Sequence, residues 1–154
     1  MELTFKKGIF EDAAKVRQAV FVEEQGFEVE FEESDQHPDM IHVTAYDPEG
    51  ALVGCARVFP AALEPNIDDV PGRWVFGRLA VFPDRREGGI GSQILAAAEQ
   101  MAAEAGATEI QLHSQCHAIP FYERVGYVAW GPIELDEHVE HQWMGKQLSA
   151  PDEK

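Results

Sequence analysis

The sequence has no lysine or arginine between Gln18 and Ala56, although eight aspartate and glutamate residues fall within 23–39. Over the whole chain, 12 basic residues face 28 acidic ones, which gives a net charge of −16. Nucleic acids and anionic membranes repel such a surface unless a basic patch overrides the repulsion, so neither is an expected partner. A small cation or a basic peptide fits this charge better. The following segment, 57–86, holds five arginines and suits an anion instead.

Cysteines and long apolar runs are also scarce. The two cysteines, Cys55 and Cys116, form neither a disulfide framework nor a thiolate zinc site. No apolar run approaches the length of a membrane-spanning helix, and charges occupy the N-terminal segment where a signal peptide would be apolar. His138 and His141 are three apart, which places them on opposite faces of a strand, so no metal is expected. We predict a cytoplasmic protein with reduced cysteines.

The apolar periodicity predicts one α/β domain over residues 1–148 and a disordered tail at 149–154. The elements follow the order β-α-β-β-β-α-β-α-β-β, which implies a central mixed sheet flanked by helices. The predicted helices span 10–25, 90–105 and 118–126. The predicted strands span 2–7, 41–47, 51–59, 73–83, 108–115, 127–131 and 138–148, and the acidic stretch GPIELDE separates the last two.

A glycine-rich segment, RREGGIGS at 85–92, lies between a predicted strand and a predicted helix. Backbone N–H groups at a helix N-terminus bind anions, and glycine lets a ligand approach the backbone closely. A P-loop is excluded because no lysine follows the glycines. A dinucleotide fingerprint is excluded because Ile94 stands where its third glycine belongs. A phosphate loop of another type and a tight turn without a ligand both remain open at this point.

The six residues REGGIG at 86–91 match the pattern Arg/Gln-x-x-Gly-x-Gly. With this match the chain resembles the GNAT superfamily of acetyl-CoA-dependent N-acyltransferases. GRLAVFPDRREGGIGSQIL resembles the family's fourth strand, pyrophosphate loop and following helix, and AIPFYERVGYV resembles its later signature. VRQAVFVEEQGF, together with LHSQCHAIPFYERVGY, is similar to the ElaA-like branch. The resemblance covers most of the chain and implies a GNAT-like acyl-CoA N-acyltransferase fold.

The resemblance also implies a site for acetyl-CoA as cosubstrate. In the family, loop amides bind the pyrophosphate, and the backbone of the preceding strand pairs with the pantetheine arm. Gln115 stands where many members carry an asparagine that contacts this arm. Carried over, the cofactor-binding positions are Leu79, Ala80, Val81, Arg85, Arg86, Glu87, Gly88, Gly89, Ile90, Gly91, Ser92 and Gln115.

Tyr122 matches the tyrosine that protonates the departing thiolate, a general-acid role that suits a phenol. The family does not fix one general base. Glu24 and His113 rank first among the candidates, ahead of His42 and Asp35. The reaction implied is direct transfer of acetyl to a primary amine in a ternary complex, and the acidic segment favours a cationic small molecule or peptide amine as the acceptor.

Several alternatives stay open at this point. The chain is also compatible with an acyl-CoA-binding protein without catalysis, or with an acyltransferase using a longer donor, as in acyl-homoserine lactone synthases. Cys116 is a candidate nucleophile for a ping-pong scheme. Arg17 is expected to pair with Glu24 or Asp35, and a homodimer through the last strands is possible in a family that often dimerises.

Overall fold

The structure is a computed structural model that describes residues 2–148, so the predicted tail at 149–154 lies outside the described residues. The ten main elements follow the predicted order. The strands are β1 (Thr4–Lys7), β2 (Ile41–Tyr46), β3 (Leu52–Pro60), β4 (Arg73–Val81), β5 (Glu109–Gln115), β6 (Val128–Asp136) and β7 (Val139–Gln147). The helices are α1 (Phe10–Arg17), α2 (Ile90–Glu104) and α3 (Ile119–Glu123).

The strands form one mixed sheet in the order β1-β2-β3-β4-β5-β7-β6. Its ladders are antiparallel apart from the β4–β5 pair, which α2 connects as a crossover. The apolar stripe of α2 packs into the main core, where Ile94 and Ala98 are fully buried beside Val43 and Val58. The predicted fold, a mixed sheet flanked by helices, is therefore confirmed.

The first helix differs from the single α-helix predicted over 10–25. It is α-helical as far as Arg17 and continues as a π-helix over Gln18–Glu24. The wider turn still buries Val20 and Phe21 in a second apolar cluster with Val16. A π-turn inside a helix is a known feature of functional sites, and periodicity alone does not distinguish it from an α-turn.

The prediction that GPIELDE separates the last two strands is wrong. Residues 131–136 belong to β6, whose pairing with β7 shifts register between Trp130 and Glu134. Gly131 has a φ of +74°, a left-handed backbone that glycine adopts readily. A Gly-Pro pair is typical of loops, but Gly131 and Pro132 lie in a bulge of a continuous edge strand.

The sheet opens between β4 and β5. Their pairing runs from Arg73↔Glu109 to Phe76↔Leu112, after which β4 continues along β3 and β5 continues along β7. The two parallel strands therefore form a wedge beyond Phe76. Within residues 2–148, no helix is long and apolar enough to cross a bilayer, and the cytoplasmic location stays a prediction.

Candidate active site

A cleft of about 580 Å³ occupies the wedge between β4 and β5. One side is formed by the second half of β4 and the start of α2, and the other by the end of β5 with α3. Nine of the twelve predicted cofactor positions line it, namely Leu79, Ala80, Val81, Arg86, Gly89, Ile90, Gly91, Ser92 and Gln115, whereas Arg85, Glu87 and Gly88 do not. Gln115 lines it from the β5 side. The structure thus brings the two motifs of the sequence to one cavity.

Arg78 marks the point at which β4 leaves β5. Its φ of +54° lies in the left-handed region, which is uncommon for a residue with a side chain. The β3–β4 register shifts here, because Arg57 pairs with Gly77 whereas Cys55 pairs with Ala80. Arg78 is therefore part of a β-bulge, a device that redirects a strand beside a functional site.

The glycine loop adopts the backbone that its sequence predicts. Gly88 and Gly89 have φ values of +84° and +73°, so each needs the freedom of glycine. The first bond of α2 runs from the N–H of Gln93 to the carbonyl of Gly89. The amides of the three preceding residues therefore lack intrahelical partners and provide the anion-binding end of the helix.

The two arginines of the loop point to different acids. Arg85 donates to Asp47 at 2.8 Å, a contact with the β2–β3 turn, and does not line the cleft. Arg86 donates to both oxygens of Glu24 at 2.8 and 2.5 Å, and its Nε donates to the carbonyl of Val81. Arg86 therefore lines the cleft beside the glycine loop, whereas Arg85 contacts the β2–β3 turn.

Glu24, predicted next to the acceptor cleft, lines neither this cleft nor the cavity that adjoins it. The hydrogen bond from Arg86 lowers the pKa of its carboxyl and holds it at the glycine loop. The next residue, Gln25, crosses the cleft and accepts a 2.8 Å hydrogen bond from Gln115. Glu24 and Gln25 thus contact two of the side chains predicted to hold the cofactor, Arg86 and Gln115.

Tyr122 lies in α3 and is buried between Phe76 and Tyr127, with ring centroids at 6.4 and 5.8 Å. Burial alone raises the pKa of its hydroxyl, so the phenol stays protonated at neutral pH. The residue lines the cleft. Tyr127, predicted to be core, is buried and donates to Glu99 at 2.6 Å.

His113 lies on β5 between two aromatic rings, with centroids 4.9 Å from His141 and 4.8 Å from Trp143. Burial, followed by the nearby His141, lowers its pKa and favours the neutral imidazole. Its Nε2 lies 3.3 Å from Glu134 but has no hydrogen-bond partner among the described residues. Among the described residues, no histidine or acid cluster is arranged to hold a metal.

A second cavity of about 800 Å³ adjoins the cleft. Residues from four elements line both spaces, so the two cavities meet at the splayed end of β4. Acids are frequent on the walls of the second cavity, among them Glu28, Glu64 and Glu137. The shared residues are Val29, Phe76, Gly77, Arg78, His113, Asp136 and His141.

The acidic segment and the arginines are not the separate halves that their order in the sequence indicates. Arg17 donates to Glu30 and Asp35 at 2.9 Å, which confirms the Asp35 alternative for its partner and not Glu24. Arg57 donates to Asp35 and to Glu32, each at 2.6 Å. Much of the segment's charge is therefore neutralised inside the protein and is not free to attract an acceptor.

Two lower-ranked base candidates belong to this buried group. The arginines hold the pKa of Asp35 well below its usual range, against the effect of burial. His42 lies beside it, with Nε2 at 2.9 Å from the carbonyl of Asp35. Neither lines a cavity. Arg78 and Glu30 also line the cleft. They were not predicted as site residues, because no motif distinguishes them from the other arginines and glutamates of the sequence.

Comparisons with known proteins agree with this geometry. The sequence matches the acetyltransferase (GNAT) domain family over residues 11–148. It is 34% identical over 136 residues to YjcF of Bacillus subtilis, described as an uncharacterized N-acetyltransferase, covering 88% of this chain and 90% of that protein. It is 24% identical over 158 residues to the isovaleryl-homoserine lactone synthase of Bradyrhizobium diazoefficiens, covering 88% and 69%.

Solved structures show the same fold. A protein described as an N-acetyltransferase from Lactobacillus plantarum superposes with a TM-score of 0.80 at 29% identity, covering 97% of this chain and all of that one. Escherichia coli ElaA gives a TM-score of 0.78 at 20% identity, covering 94% and 99%. The chain is therefore an acyltransferase of the GNAT family, with its cleft at the splayed end of β4.

Proposed function

We propose that this protein transfers an acetyl group directly from acetyl-CoA to the primary amine of a cationic acceptor. The observation that carries the proposal is the meeting of two cavities at the end of β4. One has an anion-binding helix end and Tyr122, and the other has acidic walls. A thioester in the first cavity and an amine in the second would meet at the bulge.

The cleft residues fit coenzyme A. The free amides at the start of α2 and the guanidinium of Arg86 would hold the pyrophosphate, and Gln115 would contact the pantetheine arm. Beyond Phe76, β4 has no ladder with β5, so the backbone groups at 79–81 that neither pair with β3 nor accept from Arg86 would be available to the pantetheine amides. An N–H group in this stretch would also stabilise the oxyanion that forms on the thioester carbonyl.

Tyr122 would act as the general acid. When the tetrahedral intermediate collapses, the C–S bond breaks and the phenol delivers a proton to the departing thiolate. A phenol with a raised pKa is protonated before the step, as this role requires. Of the two predicted bases, His113 is the one that lines the cleft.

The acidic walls of the second cavity support a cationic acceptor. Glu137 is held there by the backbone N–H groups of Glu28 and Val29, at 2.8 and 3.0 Å. Asp136 lines both cavities. These carboxylates lie outside the arginine network and would attract an ammonium group by charge.

The test is a thermal-shift titration followed by an amine screen. Acetyl-CoA at 100 times its Kd should stabilise the fold by about 2.7 kcal/mol, a rise in Tm of several degrees, whereas NAD should have no effect. Thiol release from acetyl-CoA is then measured with cationic and neutral amines. Binding without turnover over a wide panel would support a non-catalytic acyl-CoA binder instead.

Longer acyl donors are the second candidate, because of the similarity to a homoserine lactone synthase. Turnover that rises with acyl-chain length would favour this alternative over acetyl transfer. A ping-pong scheme through Cys116 has less support, because this half-buried thiol does not line the cleft. Cys116→Ala should keep full activity.

A further inference from the structure

Glu30 is a buried carboxylate in the wall of the cleft. Its side chain is 4% exposed, and the residue lines the same cavity as Tyr122 and Gly77. It lies in the irregular segment between the π-helix and β2, where neighbouring glutamates are exposed. Removing a carboxylate from water costs free energy, so a role in solubility does not explain its burial.

The two oxygens of Glu30 have different surroundings. Oε2 accepts a 2.9 Å hydrogen bond from Nε of Arg17 and lies 2.7 Å from Nε of Arg78. Within residues 2–148, no donor is hydrogen-bonded to Oε1, and this atom is not among those shielded from solvent. Oε2 therefore anchors the group, whereas Oε1 has no protein donor, in a residue that lines the cleft.

The main chain of Glu30 is fixed to the bulge as well. Its carbonyl accepts hydrogen bonds from Arg17 at 3.0 Å and from Arg78 at 3.1 Å. Since Arg78 is the bulge residue that lines both cavities, Glu30 is attached to the place where they meet. The oxygen without a hydrogen bond therefore belongs to a residue that lines the first cavity beside this junction.

Arginines from three elements surround Glu30. Burial raises the pKa of its carboxyl, while Arg78 on β4, Arg17 on α1 and Arg57 on β3 oppose the rise. The net direction is upward. A carboxylate of raised pKa accepts a proton more readily than an ordinary one, yet the arginines keep its ionised form available.

We infer that Glu30 is the general base of the acetyl transfer, an inference that depends on the proposed function. Oε1 takes a proton from the entering ammonium, and the freed electron pair forms the N–C bond to the thioester carbonyl. The C–S bond then breaks, and Tyr122 protonates the thiolate. The second amine proton, passed through water, restores the phenol. The products are the amide, free CoA and one proton, which Glu30 releases to solvent.

His113 is less suited to this role. Its Nε2 is shielded from solvent and faces Glu134, and its ring is packed between His141 and Trp143. This arrangement suits a wall that positions the acceptor. His113→Asn is therefore expected to raise KM for the amine more than it lowers kcat, whereas loss of the base lowers kcat.

The experiment compares two nucleophiles in the full-length protein. At an assay pH of about 9, an alkylamine is mostly protonated and needs a base to free its lone pair, whereas hydrazine, a weaker base, is mostly neutral and does not. Glu30→Gln should lower alkylamine turnover by about 100-fold and change hydrazine turnover by less than about 5-fold. In Glu30→Gln, the fall in kcat/KM at low pH that protonation of the base causes should also disappear. Glu33→Gln, an exposed neighbour outside both cavities, should behave as the wild type.

An equal loss with both nucleophiles, or a loss below about 3-fold with the alkylamine, would overturn the inference. If Glu30→Gln does not fold, Glu30→Asp provides the same comparison, because it keeps the charge but withdraws the oxygen by one methylene. Acetyl-CoA binding by thermal shift should be unchanged in every variant. A wild-type protein that binds acetyl-CoA but releases thiol with neither nucleophile would count against the proposed function itself.

Discussion

The carboxylate of Glu24 is bound by both terminal nitrogens of Arg86, at 2.5 and 2.8 Å, in front of the anion-binding end of α2. The pair joins the π-helix to the glycine loop. A pyrophosphate in the cleft would need the same guanidinium. The carboxylate of Glu24 thus binds the guanidinium that we assign to the pyrophosphate, and its negative charge would repel the phosphates.

We therefore expect Glu24→Gln to tighten coenzyme A binding by about 3-fold, the order of free energy of an exposed ion pair. Isothermal titration at low salt measures the Kd, and Glu23→Gln is the matched control because Glu23 is exposed and not paired with Arg86. An unchanged Kd with a 100-fold fall in kcat would instead assign Glu24 as the general base.

Tyr122→Phe should lower kcat by about 100-fold or more and leave acetyl-CoA binding unchanged, because the variant removes the proton donor and keeps the ring in its packing. Thiol release at saturating substrates measures the effect. Tyr127→Phe is the control, since it deletes a buried hydroxyl bound to Glu99 and should cost about 1 kcal/mol of stability with little change in kcat. Equal kcat values for the two variants would contradict the assignment.

Asp35→Asn should destabilise the fold by about 3 kcal/mol, because it leaves Arg17 and Arg57 short of their shared buried carboxylate. Urea unfolding measures the change, and Asp39→Asn, exposed in the same segment, should have little effect.

The same carboxyl predicts a pH dependence. Its folded pKa is depressed, so its contribution to stability is present above the ordinary value of 3.8 and is lost as the pH falls below it. The free energy of unfolding of the wild type should therefore fall more steeply with acid than that of Asp35→Asn. Parallel curves would show that Asp35 is not protonated on unfolding.

Gly88→Ala tests the loop backbone. Gly88 and Gly8 have φ values of +84° and +87°, and an added Cβ would meet no atom within 4 Å at either position. Both alanine variants should lose about 1 kcal/mol of stability from the same backbone strain. Coenzyme A affinity should fall in Gly88→Ala alone, as titration would show. An equal affinity in both variants would remove the loop from the cofactor site.

Local sequence patterns were sufficient to predict most of the fold. The element order, the apolar stripe of α2 and the glycine loop follow from neighbouring residues, so the sequence predicted them. The π-helix and the continuation of β6 through Pro132 were not predicted, because both depend on tertiary packing that overrides a local signal. Register shifts leave no mark in a single sequence.

The charge pattern was harder to interpret for the same reason. Arg57 and Glu32 are 25 residues apart, and Arg78 and Glu30 are 48 apart. In the sequence, these glutamates belong to the acidic segment and these arginines to the basic one, whereas the fold brings them into one neutral cluster. The acceptor preference must therefore be argued from Asp136 and Glu137, which lie far from the acidic segment in sequence.

Arg78 has two structural roles, one through its backbone and one through its side chain. Its left-handed backbone makes the bulge that parts β4 from β5, and its guanidinium binds the carboxylate and carbonyl of Glu30. A substitution chosen to change the charges would also move the backbone beside which we place the thioester. Acceptor choice and donor geometry are therefore expected to change together when this position is engineered, so a new specificity would be sought more safely on the outer walls of the second cavity.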